Sequence, residues 1–253
     1  MALPCSIVQL YNEEGTEKKH MKIYAAKVCG IPDECCKRIC SLLDTKRREK
    51  AAALKHEKER LRSIYAGLLL RHAFLAQGYS QAVWQQIQIA QGSYGKPYLS
   101  NCGTFFYSLS HSGDWVICAV DDRETGADIQ AVGKLKMTVA KRFYADEEYE
   151  RLLLYASDTD RQTTELYRIW AAKESCVKFT GRGIGAGIER YVTDSAYTHI
   201  MDMEEGSRFF IRLYECIPNY IICVCSSCAR FPEDIIITDI ARSIFNMEGE
   251  KTC

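Results

Sequence analysis

The chain has 253 residues, 47% hydrophobic and 26% charged, which suits one large globular domain or two of ordinary size. Lys plus Arg equals Asp plus Glu at 33 each, so no overall basic field points to nucleic acid, and an anion site must be a local gathering of charge. No apolar run approaches the ~18 residues of a membrane helix, and "MALPCSIVQLYNEEG" lacks the basic start and apolar run of a secretory leader, so the sequence reads as cytoplasmic with no membrane partner.

In chain order, residues 1–20 read as an N-terminal extension. A long helix is expected over 45–76, opening on the basic cluster "KRREK" (46–50), which alone reads as a solvated face. "SYGKPYL" (93–99) is a Gly-Lys-Pro loop, and alone it is a plain turn. "FFYSLSHSGDWVICAV" (105–120) reads as a hairpin, two β-rich runs around turn residues, with Ser110 and His111 expected at the turn. An adjacent Ser and His cannot face each other and no nucleophile elbow is present, which argues against a Ser-His-Asp triad. At a turn, both side chains can instead donate to a phosphate.

"GADIQ" (126–130) places Asp128 between Ala127 and Ile129 in a short strand. A carboxylate among apolar neighbours is costly unless paired or metal-bound. A second long helical region is expected over 135–179. Within it, Ile169, Ala172, Cys176 and Phe179 form one apolar stripe, and Trp170, Glu174 and Lys178 a second beside it. Glu174 and Lys178 are four apart, ordinarily a solvated ion pair worth a few tenths of a kcal/mol. "GRGIGAG" (181–187) has the glycines of a nucleotide loop, but it follows a helix instead of linking a strand to one. The 13 cysteines are odd in number and many lie in apolar runs, so they read as reduced, mostly buried small hydrophobes. Cys223, Cys225 and Cys228 make a poor zinc site, because no second CxxC or CxxH follows at the usual spacing.

The chain also repeats itself. "FFYSLSHSGDWVICAV" matches "FFIRLYECIPNYIICVC" (209–225), with Leu109 against Leu213 and Cys118 against Cys223. Upstream, "RSIYAGLLLRHAF" (62–74) falls against "RIWAAKESCVKFT" (168–180) at nearly the same offset. Two similar α+β halves are expected, 21–125 and 126–230, followed by a tail over 231–253. The boundary falls near Gly126, and each sheet is mostly antiparallel with its helix on one face. The seam between such halves is the natural cleft. Asp128 and Glu174 together suit a hard cation such as Mg²⁺, with Lys173 and Lys178 beside them for phosphate.

The order of these signals is specific: basic cluster, YGKP, SHSGxW, GxDI, WxxKExxxK, glycine-rich loop. From about residue 21 to about 236 it resembles the 4′-phosphopantetheinyl transferase family, in its larger, monomeric, pseudo-duplicated type. That resemblance implies transfer of the phosphopantetheine arm of coenzyme A to a serine of an apo acyl, aryl or peptidyl carrier protein, with release of 3′,5′-ADP. It implies Asp128 and Glu174 as Mg²⁺ ligands, Gln130 where many members have a third acidic ligand, and Lys178 at the pyrophosphate with Lys173 beside it. It further implies Ser110 at the pyrophosphate, His111 at the 3′-phosphate with Arg47, Lys50 and Ser63, and Tyr94, Gly95, Lys96 and Pro97 flanking the adenine. Asp128, Glu174 and Lys178 are the implied catalytic set, with Glu174 or a water it orients receiving the serine proton. A non-catalytic binder of coenzyme A or of carrier proteins would have no need of the two carboxylates together.

Overall fold

The computed structural model describes residues 20–242 except 135, 184, 186 and 241, so the N-terminal extension before residue 20 and the tail beyond 242 lie outside the described residues. The first half runs β1 (Lys22–Lys27), α1 (Asp33–Ser41), α2 (Thr45–Ala53), α3 (Glu57–Ala76), α4 (Gln81–Trp84), a small hairpin of β2 (Ile89–Gln91) and β3 (Pro97–Leu99), then a larger one of β4 (Phe106–Ser112) and β5 (Trp115–Asp121). The second runs β6 (Thr125–Ala131), α5 (Met137–Phe143), α6 (Asp146–Leu153), α7 (Thr159–Thr180), β7 (Tyr191–Thr193), β8 (His199–Asp202), β9 (Ser207–Tyr214) and β10 (Tyr220–Ser226), and β11 (Ile236–Ile237) follows.

The internal repeat becomes a repeated topology. In the first half the strands lie in the order β1-β5-β4, and in the second β6-β10-β9, all antiparallel. Leu109 stands opposite Cys118, as Leu213 stands opposite Cys223, so the residues matched in sequence hold the same register. The sheets differ at their margins: β8 and β7 extend the second beyond β9, and β11 joins the first in parallel beside β1, pairing Tyr24 with Ile236. The expected tail thus supplies a strand to the first sheet, with Ile235 and Ile240 buried beside it.

Each expected long helix is broken. The segment 45–76 becomes α2 and α3, because turning at Leu54 folds α2 back and buries Ala51 in the core under α3, an apolar gain that outweighs continuous helix propensity. Gly67 permits this approach: a Cβ there would lie 2.7 Å from Leu43 Cδ2 and 2.8 Å from Arg47 Cγ. The segment 135–179 becomes α5, α6 and α7, punctuated by extended Tyr144 and Ala145 and by Asp158, whose side chain accepts from Arg161 N to cap α7.

Buried residues of both halves, among them Ile23, Ala25, Ile117, Ala127, Ile129 and Ile222, share one cluster across the seam. There β4 runs beside β6 without a backbone ladder. Ser108 Oγ accepts from Ala127 N and Ser112 Oγ from Ala131 N, both at 2.9 Å. Alternate residues of a strand share a face, so one row of serines along β4 reaches across to β6. Gly126 is no linker: it lies within β6, where a Cβ would collide with the backbone of α7 at Ser175 and Phe179.

Candidate active site

A cleft of about 420 Å³ opens where the two halves meet. Its first-half wall carries Arg47 and Lys50 on α2, Tyr107, Leu109 and His111 on β4, and the loop Tyr94-Gly95-Lys96-Pro97. Its second-half wall carries Glu174, Val177 and Lys178 on α7 and the glycines that follow. Strand period places Tyr107, Leu109 and His111 on the cleft face of β4 and Ser110 toward β6, and Ser108 also borders the cleft. Ser110 and His111 are therefore strand residues, and the turn expected to hold them falls at Gly113 and Asp114. Gly113 has φ of +54°, and any Cβ would strike the hydroxyl of Tyr220, which accepts from Asp114 N at 3.0 Å.

At the base of the cleft, Lys178 Nζ donates to Asp128 Oδ1 at 2.6 Å and to Ser110 Oγ at 2.8 Å. Ser110 donates in turn to the same Asp128 oxygen at 2.7 Å. An ammonium has three donors, so Lys178 keeps one that no described residue takes. Glu174, 8% exposed, has its carboxyl pushed up to about 7 by burial first and then by the charge of Asp128, with Lys178 opposing. The i,i+4 pair of the sequence is thus no solvated ion pair: Lys178 is bound to Asp128, and Glu174 is held in a poorly solvated place beside a second carboxylate.

Two family models cover most of the chain: 4′-phosphopantetheinyl transferase, N-terminal, over residues 33–123, and 4′-phosphopantetheinyl transferase superfamily over 124–225. The chain is 32% identical to 4′-phosphopantetheinyl transferase Sfp of Bacillus subtilis (strain 168), across 85% of this chain and 96% of that one. It is 29% identical to 4′-phosphopantetheinyl transferase psf-1 of Bacillus pumilus, across 81% and 90%, and 24% identical to gsp of Aneurinibacillus migulanus, across 88% and 91%. The chain belongs to the 4′-phosphopantetheinyl transferase superfamily. Such an enzyme moves the phosphopantetheine group of coenzyme A to a carrier protein.

Not every residue expected in the site of this transferase reaches it. Lys173 does not: it is fully buried, bound to Glu148 Oε2 at 2.8 Å, and it donates to the Tyr191 carbonyl. Burial pushes its ammonium down and Glu148 opposes that. Glu148 is fully engaged, its other oxygen accepting from Thr193 N at 2.8 Å and Oε2 also from Ala145 N at 3.0 Å. Neighbours on a helix point about 100° apart, and here Lys173 points to Glu148 on α6 while Glu174 lines the cleft. Ser63 is buried off the cleft wall, its hydroxyl without a partner among the described residues. Gln130 donates Nε2–H to Asp128 Oδ2 at 2.7 Å, so its carbonyl would face a metal only after the amide turns over.

Sequence reasoning missed several contributors to the cleft of the transferase, among them Tyr107, Gly181 and Gly183. Tyr107 lines it with a buried hydroxyl that has no partner among the described residues. Gly181 and Gly183 line it with backbone, and both have positive φ, +68° and +71°, which side chains rarely adopt. Gly181 is also the left-handed cap of α7. The glycines of "GRGIGAG" were the available signal, and their use here is a helix C-cap. Five of the eleven described cysteines are buried, so fewer than half fit the expectation of buried thiols. Among the described residues no helix is long and apolar enough to cross a membrane.

Proposed function

We propose that this transferase binds coenzyme A in the seam cleft, nucleotide toward the first half and pyrophosphate toward Lys178, and moves phosphopantetheine to a serine of an apo acyl, aryl or peptidyl carrier protein, releasing 3′,5′-ADP. One observation carries the reading: Glu174 and Lys178 from the second half line a single cleft with Arg47, Lys50 and His111 from the first, and Lys178 is bonded to the buried carboxylate of Asp128. The three basic side chains suit the 3′-phosphate, since charge-assisted donors bind phosphate oxygens best. Tyr94, Gly95 and Pro97 flank the adenine.

Asp128 and Glu174 fit Mg²⁺, with Gln130 as a neutral third donor. Their fit rests on the mutual repulsion that helps raise the carboxyl of Glu174, a strain that a hard divalent cation relieves. When bound, Mg²⁺ supplies charge neutralisation at the pyrophosphate. Among the described residues no three His, Cys, Asp or Glu side chains cluster as a metal cage, so the site relies on two carboxylates with substrate and amide oxygens.

The carrier serine oxygen bonds to the phosphorus bearing pantetheine as the bond from that phosphorus to the bridging oxygen breaks. Glu174, or a water that it orients, receives the serine proton. Lys178 faces the charge that develops on departing 3′,5′-ADP. We place the enzyme in the cytoplasm as a monomer. Incubation with coenzyme A, Mg²⁺ and a panel of apo carriers tests the reading by intact mass. Gain of the phosphopantetheine mass on at least one carrier is expected; no gain on any carrier overturns it.

A further inference from the structure

Lys96 lies on the cleft wall, yet its ammonium is already fully committed. It forms an ion pair with Glu124 and donates to the carbonyl of Thr125 at 2.9 Å and of Phe179 at 3.3 Å. Three acceptors satisfy the three N–H donors of an ammonium. Each acceptor marks a different piece of the site. Thr125 opens β6, the strand that carries Asp128. Phe179 is in the last turn of α7, where unpaired carbonyls welcome a cation, one residue from Lys178. Glu124 links the two sheets and stands outside the cleft.

The loop around Lys96 is the tip of the β2–β3 hairpin, in which Gln91 pairs with Pro97. Gly92 N donates to Lys96 O and Gly95 N to Gly92 O, both at 2.9 Å, and Gly95 has φ of +86°. These bonds stay within the loop and do not fix it to the second half. The Lys96 side chain does: its Cδ would lie 3.4 Å from a Cβ on Gly181, so its stem lies along the cap of α7.

We infer that Lys96 is a positioning residue, a latch by which the first-half loop over the nucleotide is tied to the ends of the two second-half elements that carry Asp128, Glu174 and Lys178. Its ammonium does not bind a coenzyme A phosphate. The inference rests on the proposal that coenzyme A occupies this cleft. It makes adenine recognition depend on the seam: the loop reaches its place only when β6 and α7 are docked against the first half.

Glu124 supplies the test, because the two roles predict opposite signs. If Lys96 met phosphate directly, removing its counter-ion would free it, and Glu124→Ala would lower the KM for coenzyme A. If Lys96 is a latch, Glu124→Ala weakens it and raises that KM about tenfold, with kcat at saturating coenzyme A within about twofold. Lys96→Met should raise KM at least as much, the double variant should be no worse than Lys96→Met alone, and Lys96→Arg should recover part of the loss. Hydrogen exchange over 92–99 in the ligand-free protein should quicken in Glu124→Ala. A KM that falls or stays unchanged in Glu124→Ala overturns the latch, as does additivity of the two substitutions. Calorimetric titration of the wild-type protein with coenzyme A separates the two levels: no binding sinks the site reading and the latch with it, whereas normal binding with an unaffected Glu124→Ala sinks the latch alone.

Discussion

The two halves put different chemistry on one frame. By register, Tyr24 of the first half occupies the place of Asp128 in the second, each opposite the matched cysteine of the central strand. By the helix match, Leu68 and His72 stand where Glu174 and Lys178 stand. Contact geometry agrees: His72 meets Tyr24 edge-on at 5.5 Å between ring centroids, as Lys178 meets Asp128 at 2.6 Å. One position before Leu68 and Glu174, Gly67 makes room for Arg47 in the first half, whereas Lys173 fills its counterpart in the second and is neutralised by Glu148. A duplicated helix-on-strand unit therefore fixes where side chains meet but not what they do. In the first half these positions pack a core and admit the basic α2; in the second they form an acid pair with a lysine.

The comparison breaks most severely at Lys173. Lys173→Met leaves the Glu148 carboxylate buried without its cation and is expected to cost about 3–5 kcal/mol of stability, read by denaturant unfolding. Replacing both partners by apolar residues should cost less than that. A phosphate-binding lysine would show the reverse: normal stability with a raised KM.

Next in size is the test of Glu174. Glu174→Gln should leave the unfolding midpoint nearly unchanged and cut kcat on the order of 100-fold or more, with Asp128→Asn similar and the pair little worse than either. A fully active Glu174→Gln enzyme would return this position to the inert status of Leu68.

A smaller effect is expected at Gln130. Gln130→Glu removes the donor that Asp128 accepts and sets a third negative charge beside it. Without metal the variant should melt below the wild type, and half-saturation by Mg²⁺ should move several-fold lower, since a charged oxygen ligand suits this ion. An unchanged half-saturation point means that Gln130 does not meet the metal.

His72→Phe should have the least effect. It keeps an aromatic ring against Tyr24, so stability should change by less than about 1 kcal/mol and transfer not at all. Loss of transfer would mean that the first-half frame takes part in chemistry.

Much of this was legible in sequence, because duplication made two copies of one signal. Leu109 with Leu213 and Cys118 with Cys223 fixed a register that the sheets reproduce. Asp128, Glu174 and Lys178 stood out as charges on otherwise apolar elements. The alternation in "SLSHS" was itself a strand signature, obscured by the abundance of turn formers in it. Lys173 was not legible: its partner Glu148 lies on a different helix and no local pattern announces it. The breaks near residues 54 and 145 lacked Gly or Pro, and the burial of Ala51 under the helix that follows decided the first.

β11 carries a consequence for synthesis. It is made late and pairs with β1, which is made early, so the outer edge of β1 stays bare while almost the whole chain is being assembled. Contacts between such remote stretches form slowly because a long loop must close first. The first half, though it precedes the second on the ribosome, cannot complete its own sheet until residue 237 has emerged. A chain cut at the seam yields an N-terminal piece with an open edge ready to join another strand. The two copies are alike in plan, yet neither is finished alone: the tail beyond the second lends the first its outer strand, and the first lends the second a wall for its cleft.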